Sequence, residues 1–222
     1  MTASIASLSE FRQRIPAHVR IIAVTKTQPI SAITTAYAAG IKDIGENRVQ
    51  EALSKHAQLT ALTDLTWHLI GHLQSNKVRK ALEIFDWIHS IDSLKLAATV
   101  DRISGEMQRP QPQLCLQVKF VPDPDKSGWE PAELIAALPD LDRLAHVQIR
   151  GLMVIPPFNL NAEALQSVFR SAQALQTELQ AQPWERLQFD QLSMGMSDDY
   201  ERAIAQGATM IRPGRCLFGD RH

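Results

Sequence analysis

The stretch RIIAVTKTQPISAITTAYAAG, residues 20–40, sets the pattern by which the rest of the chain is read. Ile21 to Thr25 read as a buried strand, and a polar segment with a proline follows. From Ile30 onward, Ile33, Ala36, Tyr37 and Ala38 recur at helical spacing, and Gly40 stands where a helix stops. This is one strand–helix unit, and its strand ends in an amine, Lys26. Lysine is among the residues least often fully buried, so a lysine closing an apolar strand calls for a chemical explanation.

Working outward, the same alternation repeats. Further strand-like runs are IKDIGE (41–46), LTWHLIGH (65–72), DWIHSI (86–91) and QLCLQVKF (113–120), then HVQIRGLMVI (146–155), LQFDQLSMG (187–195) and ATMIRPG (208–214). Helical patterns lie between most of them: NRVQEALSKHAQL, SNKVRKALEI, DSLKLAATVDRISGEM, EPAELIAAL and NAEALQSVFRSAQALQTELQ. Several open with Ser, Asp or Asn placed to cap a helix. Alternating β and α predicts a parallel sheet. Eight units in 222 residues fit one closed (β/α)8 barrel, a TIM barrel spanning 1–222 as a single domain. ASIASLSEFRQRI reads as an extra N-terminal helix. An open doubly wound sheet is the competing architecture.

Composition narrows the function classes. A net charge of -1 argues against a nucleic-acid or acidic-membrane surface. No apolar stretch approaches the ~20 residues of a membrane span, and the N-terminus lacks the apolar run of a signal peptide. The expectation is a soluble cytoplasmic protein. Cys115 and Cys216 lie in apolar segments, far apart and without metal-ligand spacing, and read as buried free thiols. His68 and His72 share a strand face but stand ~13 Å apart at the strand rise, so no metal is expected. Asp123, Asp125 and Glu130 read as solvated loop charges, and the four tryptophans as packing.

Barrel chemistry sits at the C-terminal ends of the strands. Those ends present Lys26, Asn47, His72, His89, Lys119 and Met153, then Ser193, Gly195, Ser197, Arg212, Gly214 and Arg215. SMGMSDD and RPGRCLFG follow the seventh and eighth strands, where barrels often seat a phosphate on backbone N–H groups. Desolvation at a barrel mouth lowers a lysine's pKa and makes its amine nucleophilic toward aldehydes. An amine opposite a phosphate cradle suggests a phosphorylated aldehyde.

Taken together, AVTKTQP, GENRVQE, WHLIGHLQSNK, IHSID, GLMVI, SMGMSDDYERAIAQGATMIRPG and LFG resemble the pyridoxal phosphate homeostasis proteins. These are single-domain barrels similar to the barrel domain of alanine racemase, of PLP fold-type III. The resemblance implies pyridoxal 5′-phosphate (PLP) as the ligand, held as an internal aldimine on Lys26. It implies that Ser193 and the backbone near Gly214 and Arg215 hold the phosphate. By the racemase-like RPG stretch, Arg212 faces the pyridine nitrogen. Asn47 is expected at the ring hydroxyl, with Met153 and His72 lining the pocket. Many relatives carry Ser or Thr at the position of Arg215 and an aromatic residue at Arg48, so Arg48 receives no role.

Racemisation on this fold needs a second base on the opposite cofactor face, a tyrosine from a further domain of the partner subunit. This chain ends at His222 and holds two tyrosines, Tyr37 and Tyr200, both in helical patterns. The expectation is therefore a monomeric PLP-binding protein with no catalytic residue of its own. It would buffer or deliver the cofactor to apo PLP enzymes and influence amino- and keto-acid balance. The alternatives are a weak PLP-dependent racemase or lyase, and an aldolase that uses the lysine without a cofactor.

Overall fold

The computed structural model describes residues 4–123 and 126–219. Eight parallel strands close into a barrel in sequence order. They are β1 (Arg20–Val24), β2 (Asp43–Glu46), β3 (Thr66–Leu69), β4 (Trp87–Ile91), β5 (Gln113–Gln117), β6 (Gln148–Met153), β7 (Gln191–Ser193) and β8 (Met210–Ile211). The ring shuts where Arg20 and Ile21 of β1 pair with Met210 and Ile211 of β8. Around it run α1 (Ile5–Arg14), α2 (Ile30–Ala38), α3 (Val49–His56), α4 (Val78–Leu82), α5 (Leu94–Gly105), α6 (Pro131–Leu141), α7 (Ala162–Gln180), α8 (Tyr200–Ala205) and α9 (Arg215–Phe218). The expected barrel and N-terminal helix are both present, and the open sheet is excluded.

The apolar run of β1 is unbroken because the strand is buried on both faces. Ile22 points into a small cluster with Trp87, Cys115, Met153 and Met210. Ile21 and Ala23 join the larger core between barrel and helices. Ser4, Ser93 and Asn161 cap α1, α5 and α7 with their side-chain oxygens. Asn47 does not cap α3, whose N-cap is Arg48, so its amide is left for other contacts. The strands are shorter than the apolar runs that announce them: β1 stops at Val24 and β3 at Leu69. Residues up to Lys26 and His72 therefore belong to loops.

Two surface expectations change. Cys115 is buried and its thiol is pushed up to about 12 by burial, whereas Cys216 is exposed at the start of α9. Asp123 is largely buried and pairs with Lys126 at 3.0 Å, whereas Glu130 is exposed as expected, at the start of α6 and 3.6 Å from Lys119. Asp125 lies outside the described residues. Among the described residues no helix is long and apolar enough to cross a membrane.

Candidate functional site

Lys26 stands on a tight turn just past β1, where the Gln28 N–H donates to the Thr25 carbonyl at 2.9 Å. Both neighbours of Lys26 are tied down. The Thr25 hydroxyl donates to Glu46 Oε1 at 2.6 Å. Thr27 adopts φ 63°, the left-handed region that β-branched residues avoid, and its N–H donates to Glu51 Oε1 at 2.6 Å. Lys55 joins the two halves. Its Nζ donates to the Thr25 carbonyl at 2.7 Å, to Glu46 Oε1 at 2.8 Å and to Glu51 Oε1 at 2.7 Å. Burial raises the Glu46 carboxyl above its ordinary range, against the pull of Lys55 and Thr25. Burial also pushes Glu51 up, but Lys55 and the Thr27 N–H hold it below the ordinary range. This compact ion cluster makes the strained turn affordable and fixes where the Lys26 backbone sits.

Lys26 lines a cavity of about 530 Å³ at the C-terminal mouth of the barrel. Asn47, Arg212, Gly214 and Arg215 share its walls, with Ser197 and Asp198. Asn47 reaches it because Gly71 carries no side chain: a Cβ there would fall 2.3 Å from the Asn47 carbonyl oxygen. The loop after β7 turns at Gly195, whose φ of +93° and close approach to Ala203 both exclude a side chain. Past that turn the Ser197 hydroxyl accepts the N–H of Gly214 at 3.0 Å and of Cys216 at 3.3 Å. The two loops that sequence reading marked as an anion seat are thus stitched together at the cavity. The Arg215 guanidinium bonds to Asp198 across the exposed rim.

Arg212 is buried, with only 3% of its surface exposed. Its Nη1 donates to Ser193 Oγ at 2.7 Å and its Nη2 to the Val154 carbonyl at 2.8 Å. Burial pulls its pKa down to about 10, with Asp199 opposing. It stays a cation at neutral pH.

The structure therefore gathers Lys26, Asn47, Arg212, Gly214 and Arg215 in one place, and it separates three other expected residues from them. Ser193 is the last residue of β7, fully buried, and its hydroxyl is taken by Arg212 and by His89 Nδ1 at 2.9 Å. The serine at the cavity wall is Ser197, beyond the Gly195 turn. Met153 points into the barrel interior beside Trp87 and Cys115. His72 lies three residues past β3, largely exposed, with its Nδ1 3.2 Å from Asp92. It borders an open depression with Arg48 and Lys77 that adjoins the cavity at Asn47. Reading from strand ends passed over Val24, Ile70, Ile155 and Phe158, which supply the apolar walls. Phe158 sits in the long loop after β6 and carries no signal in sequence that it would face the mouth.

The chain is similar to known proteins over nearly its whole length. The family described as alanine racemase, N-terminal domain, matches residues 3–222. A Synechocystis protein named pyridoxal phosphate homeostasis protein is 48% identical over 96% of this chain and 96% of its own length. The Escherichia coli K12 protein of the same name is 39% identical over 94% of this chain and 88% of its own. PipY of Synechococcus elongatus, solved with PLP bound, superposes with a TM-score of 0.91 at 55% identity, covering 97% of this chain and 99% of that one. The Clostridium difficile alanine racemase superposes with a TM-score of 0.75 at 11% identity over 97% of this chain and 56% of its own, a likeness of fold alone. By sequence over nearly its whole length, and by the barrel that carries the cavity, the chain belongs to the pyridoxal phosphate homeostasis protein family.

Proposed function

We propose that this protein binds PLP in the cavity, covalently at Lys26, and that it acts in the cytoplasm as a monomer which holds the cofactor and hands it to apo PLP enzymes, with effects on amino- and keto-acid balance. The observation that carries the reading is the donor set of a single space: a primary amine, a buried guanidinium and two stitched backbone loops on the walls of one cavity of about 530 Å³. PLP supplies an aldehyde that condenses with a primary amine with loss of water, a ring hydroxyl, a pyridine nitrogen and a phosphate. Each has a complementary group here. Lys26 offers the amine, and Asn47 can bond the ring hydroxyl. The backbone at Gly214 and Arg215, with Ser197 in the place first given to Ser193, suits the phosphate. Arg212 suits the ring nitrogen: a protonated guanidinium donates and cannot accept, so the nitrogen facing it stays unprotonated. Such a ring is a poorer electron sink than a pyridinium opposite a carboxylate.

The racemase-like RPG stretch shares that arginine, so the other side chains are what favour holding over racemisation. Tyr37 and Tyr200, the chain's two tyrosines, lie on α2 and α8 bonded to Asp64 and Glu201, away from the cavity. Asp198 is the carboxylate at the cavity wall, and it is committed to Arg215. The test is transfer. The PLP-loaded protein is incubated with the apo form of a PLP enzyme, and the recovered activity should track cofactor lost from this protein. No release, either to apo enzymes or to a competing trap, would sink the carrier reading. A steady turnover of D- or L-alanine that vanishes in Lys26→Ala would replace it with the racemase. Size-exclusion chromatography checks the monomer.

A further inference from the structure

Beneath the cavity a line of polar side chains crosses the whole barrel interior. It starts at Asp43, the first residue of β2, whose Oδ1 lies 2.9 Å from His68 Nε2. His68 Nδ1 lies 3.0 Å from His89 Nε2. His89 Nδ1 lies 2.9 Å from Ser193 Oγ, which accepts Nη1 of Arg212 at 2.7 Å. His68, His89 and Ser193 are fully buried, in a barrel lined otherwise by Trp87, Cys115 and Met153. Trp87 stacks on His68 at a centroid distance of 5.8 Å. Of this line Arg212 lines the cavity; Asp43, His68, His89 and Ser193 do not.

We propose that Asp43, His68, His89 and Ser193 are positioning residues for Arg212: a hydrogen-bond chain of one fixed direction that holds the guanidinium toward the cofactor ring. The part that concerns the ring rests on the PLP reading above; the direction of the chain does not. Both ends are locked. Arg212 can only donate, and an ionised Asp43 can only accept. Ser193 accepts from Arg212, so its own proton goes to His89 Nδ1. His89 then carries its proton on Nε2 and gives it to His68 Nδ1. His68 carries its proton on Nε2 and gives it to Asp43. Every buried donor and acceptor along the line is satisfied once, with both imidazoles neutral.

Any other arrangement leaves a defect. A doubly protonated His68 would reverse its bond to His89 and drive a second donor onto Ser193, orphaning the serine proton. It would also add a charge to an enclosed space. The charged groups around the pair come from every side of the barrel: Arg20 of β1, Asp43 of β2 and Asp86 before β4 act on His68, while Arg20 and Arg212, just past β8, act on His89. Burial holds both rings below the ordinary imidazole range, and the cations press His89 further down.

The experiment has two arms. In the first, long-range 1H–15N correlation spectra of the cofactor-free protein at pH 7 report the tautomer of each histidine, with His68→Gln and His89→Gln providing the assignments. Both rings should be neutral and protonated on Nε2. A proton on Nδ1 of either ring, or an imidazolium, overturns the chain. In the second arm, Ser193→Ala removes one small hydroxyl without a large cavity. It should weaken PLP retention about tenfold or more, as expected for losing a hydrogen bond to a charged group, and should move the His89 ring signals. Borohydride should still trap the pyridoxyl group on Lys26. If Ser193→Ala retains PLP as tightly as the parent, Arg212 needs no positioning and the proposal fails. If the parent itself traps nothing on Lys26, the PLP reading fails, and the first arm still decides the chain.

Discussion

Lys26 and Arg212 line the same cavity, yet different material lies beneath each. The turn that carries Lys26 rests on ions: Lys55, Glu46 and Glu51, with the lysine and both glutamates in direct contact. Arg212 rests on neutral groups: a serine hydroxyl, a carbonyl and, farther down, two imidazoles. No carboxylate among the described residues bonds to its guanidinium; Asp43 is reached only through Ser193, His89 and His68. An ion cluster grips a backbone hard because removing one member strands a buried charge. A neutral chain orients a cation without cancelling its field. The amine needs an exact place, and the guanidinium needs to keep its charge for what faces it.

The comparison breaks first at Lys26. Lys26→Ala removes the primary amine, and covalent PLP should be lost entirely while the fold persists, since the residue is only half-buried at the rim. Loss of the visible absorption band, together with peptide mass after borohydride reduction, reads the result. A pyridoxyl adduct on another lysine of the parent protein, such as Lys119, would refute the assignment.

Lys55→Met strikes the ion cluster. Glu46 is fully buried, and its Oε2 already lacks a partner among the described residues. Removing the cation should cost about 3–5 kcal/mol of stability and loosen the turn at Thr25 and Thr27. Urea unfolding measures it, and an unchanged midpoint would show that the cluster does not hold the turn.

Arg212→Gln sharpens the other side. Glutamine keeps a donor and loses the charge and the fork. PLP retention should fall by about 1.5–3 kcal/mol, and the ligand-dependent rise in melting temperature should shrink with it. Covalent trapping on Lys26 should continue. Equal retention by mutant and parent would remove Arg212 from the cofactor.

The smallest effect is acid sensitivity of the neutral chain. His68 and His89 are held below the ordinary imidazole value of 6.5 by burial. The unfolded chain takes up protons near 6.5 while the folded chain does not, so the stability is fully present above that pH and is lost as pH falls below it. The slope reaches at most about 1.4 kcal/mol per pH unit for each ring. Glu46, raised in the folded state by burial, acts with the opposite sign: its contribution is present below its unfolded value and is lost as pH rises through its folded value. Denaturation at pH 7 and pH 5.5 measures the loss, and its persistence unchanged in a His68→Gln, His89→Gln double variant would assign it elsewhere.

The architecture was legible because it is written locally. In RIIAVTK and ATMIRPG the apolar run, the turn and the following helix pattern lie within a few residues, and period and order suffice to predict strand, loop and barrel. Lys26, Arg212 and Gly214 were found by the same logic, since the polar residue that closes a barrel strand faces the mouth. The choice between Ser193 and Ser197 was not legible. β7 is three residues long, and where it ends decides which serine faces inward and which meets the ligand space. His72 looked like a strand end until β3 closed at Leu69 and left it to Asp92.

By itself the sequence determined the eightfold alternation of strand and helix, the amine after the first strand and the two loops after the last pair of strands. Those depend on neighbours along the chain. Only the tertiary structure decided that Lys55 and Glu51 pin the Lys26 turn, and that His68 meets His89 and His89 meets Ser193 across 104 residues of sequence. The reason is physical. A closed barrel turns every second side chain inward, and which inward residues touch depends on strand register and on the depth at which each strand stops, and neither is encoded in any single segment.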